Sequence, residues 1–362
     1  MQKIAFVFGT RPEYIKIAPV VSAFRKDGNL DVKLIFTNQH KTMVDDFFPI
    51  FKEYPDIKLE IEHDGNLSNL TGNIIKELDV IFKKENFDIV FVHGDTTSTF
   101  CGGLAAFYNK IKIAHIEAGL RSFDMQSPFP EEMNRKYIGL IADYHFCATE
   151  ISKQNIEKED LKGDIFVTGN TSIDAIKWVV DLNLKPSDVV SKAFEDRNLK
   201  YALLTSHRRE NLDKLDEIFT GMKEILNLHK NLKIILPMHL NPLARSKALE
   251  YFKDENQVFL TEPLDYVDIA FAMSMSSFII TDSGGLQEEG TYFKIPILVL
   301  RNSTERPEGL SLGFSRLTPN SQDLKNAVND IFNEKFKISS SVMPYGDGNA
   351  SQKILNIVKN LK

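Results

Sequence analysis

Residues 4–13 read Ile4-Ala5-Phe6-Val7-Phe8-Gly9-Thr10-Arg11-Pro12-Glu13. A continuous apolar run breaks on Gly-Thr and passes directly into charged residues, with Lys16 one helical turn further on. A strand buried on both faces reads this way, and such strands belong to parallel sheets whose crossovers are helices. The same pattern recurs at 32–36, 89–93, 112–116, 144–148 and 165–168, then at 201–205, 233–237, 258–260, 278–281 and 297–300. Helix-period stretches such as 70–84 and 212–229 lie between these runs. Strand–helix alternation in two series predicts an α/β protein of two Rossmann-like, doubly wound domains. The first is expected over 1–171 and the second over 172–345, with a polar stretch at 182–197 leading into the second series. The segment 346–362 carries Ile354, Leu355, Val358 and Leu361 at helical spacing and should dock one face on a neighbour.

Bulk composition narrows the function. The chain has 362 residues, with Lys+Arg 44 against Asp+Glu 50 and a net charge of −6. An acidic balance argues against a dedicated nucleic-acid binder. At 43% hydrophobic and 26% charged, the composition is that of an ordinary globular protein. Cys101 and Cys147 stand far apart without metal-ligand spacing and read as core thiols of a reducing compartment. No apolar run approaches the length of a membrane span and no secretory signal is visible, so a cytoplasmic protein is expected.

Ligands of open α/β sheets bind beyond the carboxyl ends of the strands, and the polar residues gather there. Asp95 and Glu117 each follow an apolar run. Partial burial beside a like charge raises a carboxyl pKa and suits it to proton transfer near neutrality. Glu131 stands at a helix start after Pro128 and Pro130, a position that by itself reads as capping. His207 closes an apolar run beside Arg208 and Arg209, which disfavour its protonation. His93 and His115 are read as structural. In the second series Ser283-Gly284-Gly285 joins a strand to a helix, where free N–H groups meet an anion, and Glu289 follows as a carboxylate for ribose hydroxyls. The lack of a GxGxxG or Walker loop turns the reading from NAD and ATP to a nucleoside diphosphate joined to another group. Arg11, Lys16, Arg208, Arg209 and Arg306 supply cations for it. Neither Asp-x-Asp nor a Cys/His cluster is present to hold a metal.

In order along the chain, these stretches carry a resemblance. Gly9-Thr10-Arg11-Pro12-Glu13 opens it, followed by Gln39-His40, His93-Gly94-Asp95-Thr96 and residues 115–122. Ser127-Pro128-Phe129-Pro130-Glu131-Glu132-Met133-Asn134-Arg135 and His207-Arg208-Arg209-Glu210-Asn211 come next. Residues 282–289, 304–308 and Tyr345-Gly346-Asp347-Gly348-Asn349 complete the series. The chain resembles the bacterial non-hydrolysing UDP-N-acetylglucosamine 2-epimerases over nearly its whole length. The resemblance implies a GT-B arrangement with UDP in an interdomain cleft, a last helix returning to the first domain, homodimers, and no cofactor or metal. It implies Asp95, Glu117, Glu131 and His207 as catalytic residues. Arg11, Lys16, Leu264, Ile269, Ser283, Gly284, Gly285, Glu289 and Arg306 would bind the UDP-sugar. Gln39, His40, Arg208 and His239 match parts of the family's effector site for a second UDP-sugar. The activity implied is interconversion of UDP-GlcNAc and UDP-ManNAc for cell-surface polysaccharide. The rivals are a hydrolysing 2-epimerase, an epimerase of a modified UDP-hexosamine, a GT-B glycosyltransferase and a UDP-sugar sensor without turnover.

Overall fold

The computed structural model describes residues 1–40, 44–62, 64–206 and 209–361. Two compact units form, one of 1–178 with 345–362 and one of 179–344. Each is an α/β unit built on a parallel sheet.

In the first unit β1 (Gln2–Phe8), β2 (Leu30–Phe36), β3 (Ile57–Lys58), β4 (Ile89–His93), β5 (Lys112–Ala118), β6 (Tyr144–Cys147) and β7 (Asp164–Val167) make a sheet of order β3-β2-β1-β4-β5-β6-β7. Strand order reverses between β1 and β4, whose Phe6 and Phe91 are in register. Phe6, Phe91, Phe146 and Phe166 stack across the sheet with centroids 4.6, 6.0 and 5.5 Å apart, and the small Ala114 on β5 lets the middle pair meet. The two-residue β3, too short to register as an apolar run, pairs with β2 at the sheet edge.

The second unit repeats the plan with β8 (Lys200–Thr205), β9 (Leu232–Pro237), β10 (Val258–Thr261), β11 (Phe278–Thr281), β12 (Ile297–Val299) and β13 (Ser315–Leu317), ordered β10-β9-β8-β11-β12-β13. Its reversal lies between β8 and β11. The polar stretch ahead of β8 is not wholly a connector, because Ser187 caps a short helix, Asp188–Ala193, through Val190 N.

The division between units falls at 178/179 and not at 171/172. The helix Thr171–Asp181 begins among first-unit residues, and Trp178 packs its indole 6.0 Å from Phe51 and under Lys26. Asp174 on that helix accepts from Ala350 N and Ser351 N, which anchors the last helix, Ala350–Lys359, in the first unit. Ile354, Leu355 and Val358 are buried there, and Lys359 pairs with Asp27. None of the described helices is long and apolar enough to cross a membrane.

Close approach at the first reversal point demands glycine. A Cβ on Gly9 would lie 1.9 Å from Ser98 Oγ and 2.8 Å from Ser98 Cβ. Ser98 Oγ is itself held by Thr37 Oγ1 at 2.6 Å and by Gln39 Oε1 at 2.7 Å, so it has nowhere to retreat. Gly9→Ala is therefore expected to cost about 1–3 kcal/mol of stability, the usual price of overpacking. Urea unfolding measures it, and an unchanged midpoint would contradict this packing.

Candidate active site

At the carboxyl end of the first sheet, the ends of β1, β2, β4 and β5 and the helix Glu131–Ile141 contribute to the wall of a cavity of about 390 Å³. Lys16, Gln39, His40, His93, Asp95, Thr96, Glu117, Glu131 and Asn134 are among its lining residues. The turn after β1 places Thr10 as N-cap of the helix Arg11–Asp27, with Pro12 in its first turn and Glu13 closing a capping box. The turn after β4 uses Gly94 at φ 67° to reverse the chain, and Thr96 then caps the helix Thr97–Tyr108 through Thr99 N. Sequence reading ended β5 at Ile116, but the strand runs on to Ala118, so Glu117 sits inside it. There the register shifts and Glu117 itself takes φ 63°, a left-handed conformation uncommon for a non-glycine residue.

Asp95 Oδ2 accepts from Arg135 Nε at 2.8 Å and pairs with Arg135 Nη2 at 2.6 Å, while Asn134 Nδ2 donates to the Asp95 carbonyl at 2.8 Å. Burial is the largest influence on Asp95 and raises its pKa; Arg135 opposes it, and Glu117 and Glu131 add to it. Arg135 Nη1 also donates to Glu132 Oε2 at 2.9 Å. Glu132 accepts in addition from Ser122 N and Phe123 N, and despite burial these partners hold its carboxyl below the usual range. Glu117 Oε2 accepts from the Lys16 ammonium. Glu131 Oε2 is buried without a hydrogen-bond partner among the described residues. His93, at 2% exposure, is held to about 4 by burial, Glu117 pulling the other way. It is therefore a neutral imidazole at the cavity wall. His115 is a support: its Nε2 lies 2.8 Å from the Gly94 carbonyl oxygen, and burial takes it to about 3.

Asn134, Arg135 and the Lys16–Glu117 pair escaped sequence reading. Glu131, Asn134 and Arg135 stand at i, i+3 and i+4, one face of a helix. That spacing is a usable signal that these residues act together. Lys16, expected with the nucleotide-binding cations, lines the cavity and pairs with Glu117. Arg11 is exposed, its guanidinium 5.8 Å from the Phe47 ring. Gln39 Oε1 is occupied by Ser98 N and Oγ, and His40 is exposed at the cavity rim.

The second unit carries a different chemistry at its own reversal point. After β11, Asp282 Oδ2 accepts from Asn211 Nδ2 at 2.9 Å and Ser206 Oγ at 3.1 Å, fixing the turn into the short helix Gly284–Glu289. Ser283 N donates to Thr281 Oγ1, and the Ser283 side chain makes no capping bond. A Cβ on Gly284 would lie 2.6 Å from the Arg306 guanidinium carbon, so glycine lets that cation lie against the turn. Arg306 is oriented by Glu288 at 2.8 Å and Glu305 at 2.6 Å. Glu289 Oε1 accepts from the buried Tyr266 hydroxyl at 2.9 Å. Leu264 and Ile269 are half-buried on either side of that tyrosine. His239 is exposed, its Nδ1 accepting from Asn241 N. His207 and Arg208 lie outside the described residues. Among the described residues no group of three His, Cys, Asp or Glu is placed to hold a metal ion.

Comparison with known proteins finds relatives over nearly the whole chain. The family model for UDP-N-acetylglucosamine 2-epimerase matches residues 22–359. The UDP-N-acetylglucosamine 2-epimerase of Bacillus subtilis is 43% identical, over 98% of this chain and 94% of its own length. The S. aureus MnaA–UDP structure is 42% identical with a TM-score of 0.88, covering 99% of this chain and 96% of that one. UDP-GlcNAc 2-epimerase from Neisseria meningitidis bound to UDP-GlcNAc is 37% identical with a TM-score of 0.89, covering 99% and 100%.

The Arg306 cluster has a pH signature. Burial works to raise Glu305, but Arg306 and Arg301 outweigh it and bring the carboxyl to about 2. A depressed folded value contributes stability above the unfolded value of about 4.3 and loses it as pH falls toward the folded one. Wild type should exceed Glu305→Gln by up to about 3 kcal/mol near neutrality, with the margin shrinking below about pH 4.3. Urea midpoints of both proteins across that range measure it; a margin that does not shrink with acid would contradict the ion-pair account.

Proposed function

The chain belongs to the UDP-N-acetylglucosamine 2-epimerase family, and from that premise we propose that it interconverts UDP-GlcNAc and UDP-ManNAc without net release of UDP. The C2 proton of the sugar is not next to a carbonyl, so direct removal is difficult. Elimination solves this. A carboxylate takes the C2 proton while UDP leaves C1, giving a 2-acetamidoglucal. UDP then adds back as a proton is delivered to the opposite face. The sequence is redox-neutral, and the reading assigns it neither a redox cofactor nor a metal.

Asp95, Glu117 and Glu131 are the acid–base groups of this reading, and the observation that carries it is their common cavity. Asp95 is held from one side by Arg135 and Glu117 from another by Lys16. Inverting a carbon requires proton transfer at two faces, and two carboxylates on different strand ends with separate cations meet that requirement. Burial raises the pKa of Asp95, the direction that favours its holding and passing on a proton.

The diphosphate goes to Arg11, His207, Arg306 and the amides of 283–285, which would stabilise the charge developing on the leaving group. Glu289 takes the ribose, its carboxylate held by the Tyr266 hydroxyl at Oε1. Leu264 and Ile269 flank the uracil. Gln39, His40, Arg208 and His239 would contribute to an effector site. The protein works as a cytoplasmic homodimer and supplies ManNAc-type sugars for cell-surface polysaccharide. Thr96 after Asp95 supports the non-hydrolysing reaction, since related hydrolysing enzymes tend to carry arginine there.

Incubation with UDP-GlcNAc in D2O, followed by proton and phosphorus NMR, tests the proposal. UDP-ManNAc with deuterium at C2 and UDP still attached is expected. Stoichiometric UDP with free N-acetylmannosamine would overturn it in favour of hydrolysis. Turnover only of a diacetamido or 6-deoxy relative would overturn the substrate.

A further inference from the structure

Glu13 is a buried titratable group that the proton transfers above do not use. It is 2% exposed and lies beneath the cavity, where the turns after β1 and β4 meet. Its Oε2 accepts from Gly9 N at 3.0 Å and Thr10 N at 2.8 Å. Its Oε1 lies 2.7 Å from Thr96 Oγ1 and 3.0 Å from Thr99 Oγ1. These two hydroxyl oxygens are 3.2 Å apart, and Thr99 Oγ1 lies 2.5 Å from the His93 carbonyl oxygen.

The number of protons in this cluster limits how it is bonded. A carbonyl oxygen only accepts, so the single Thr99 hydroxyl proton belongs to the short contact with His93. Were Glu13 ionised, Thr96 would donate to Oε1, and the 3.0 Å contact between Thr99 Oγ1 and Oε1 would set two acceptors face to face. With a proton on Oε1, three protons serve the four contacts, the Glu13 proton forking between the two hydroxyl oxygens. Glu13 donates to the hydroxyl pair, Thr96 donates to Thr99, and Thr99 donates to the His93 carbonyl.

The charges around Glu13 agree with this count. On its own helix, Arg11 is exposed against Phe47 and Lys16 is committed to Glu117. His40 follows β2, and the neutral His93 ends β4. Asp95, Glu117 and Glu131 face the same cavity from three other elements, so a further negative charge would meet three carboxylates. Glu13 makes no ion pair among the described residues. Burial likewise raises its pKa, more than its hydrogen bonds lower it.

We propose that Glu13 is a positioning residue that works as a neutral carboxylic acid, tying the turn that carries Arg11 to the turn that carries Asp95 through one directional chain of hydrogen bonds. Its effect on turnover rests on the epimerase reading; its protonation does not.

Glu13→Gln and Glu13→Ala test this together. An amide donates where the acid donates and accepts where it accepts, so Gln replaces the neutral acid but not the carboxylate. Glu13→Gln should fold and keep turnover within about threefold, while Glu13→Ala should lose about tenfold or more, the rate equivalent of one misplaced hydrogen bond. Difference infrared between wild type and Glu13→Gln at neutral pH should show the carbonyl band of one protonated carboxyl. A raised folded value loses its stability contribution as pH rises through it. The thermal midpoint of wild type should therefore fall relative to Glu13→Gln as pH climbs above the unfolded value of about 4.3. Absence of the infrared band, a pH-independent margin, or a Glu13→Gln variant that is unfolded or as impaired as Glu13→Ala would each overturn the proposal. Should no UDP-sugar be turned over at all, the infrared and stability arms still decide it.

Discussion

Several carboxylates share one partly buried cavity at the end of the first sheet, and the arrangement depends on how their charges are compensated. Unpaired charge in such a place is costly, and neighbouring like charges push one another toward the neutral form. Each carboxylate meets this differently. Glu117 takes the Lys16 ammonium. Asp95 shares the Arg135 guanidinium with Glu132, whose further bonds to Ser122 N and Phe123 N keep it charged. Glu13 answers to hydroxyls and amides instead of a cation. Groups of one chemical type thereby acquire different proton affinities at one end of the sheet, which is what acid–base chemistry requires.

Backbone geometry brings these groups to one place. Strand order reverses between β1 and β4, and the cavity lies at the carboxyl edge of that reversal. Gly9 allows the β1 turn to approach Ser98, Gly94 turns the chain at positive φ, and the bulge in β5 rotates Glu117 out of regular register. Holding a glutamate in the left-handed region costs energy that the surrounding sheet must supply, as is common at functional sites. The second unit has the same reversal, between β8 and β11, with different residues around it. Its turn after β11 carries glycines and a guanidinium braced by two carboxylates.

The long apolar runs made the fold legible, because strands buried on both faces leave a continuous signal. β3 and β13 were not legible, being edge strands of two and three residues with little apolar content. The break between units was displaced because Trp178 is claimed by Phe51 and Lys26, a tertiary contact that composition does not reveal. At the site, Asp95 and Glu117 stood out as acids directly after apolar runs. Their partners did not. Lys16 is separated from Glu117 by 101 positions and Asp95 from Arg135 by 40, and Glu13 reads as a helix cap until Thr96 and Thr99 are seen against it. Pairing across the sheet edge is a property of the fold, whereas a single sequence shows only local spacing.

We propose that the first unit moves the proton and the second holds the nucleotide. Glu117→Gln keeps the size of the side chain and most of its hydrogen bonds but removes the base. C2 deuterium exchange should fall by roughly 10²–10⁴-fold, the usual worth of general acid–base catalysis. Calorimetry on the same variant should find UDP affinity unchanged. Near-wild-type exchange, or loss of UDP binding in parallel with exchange, would contradict the account.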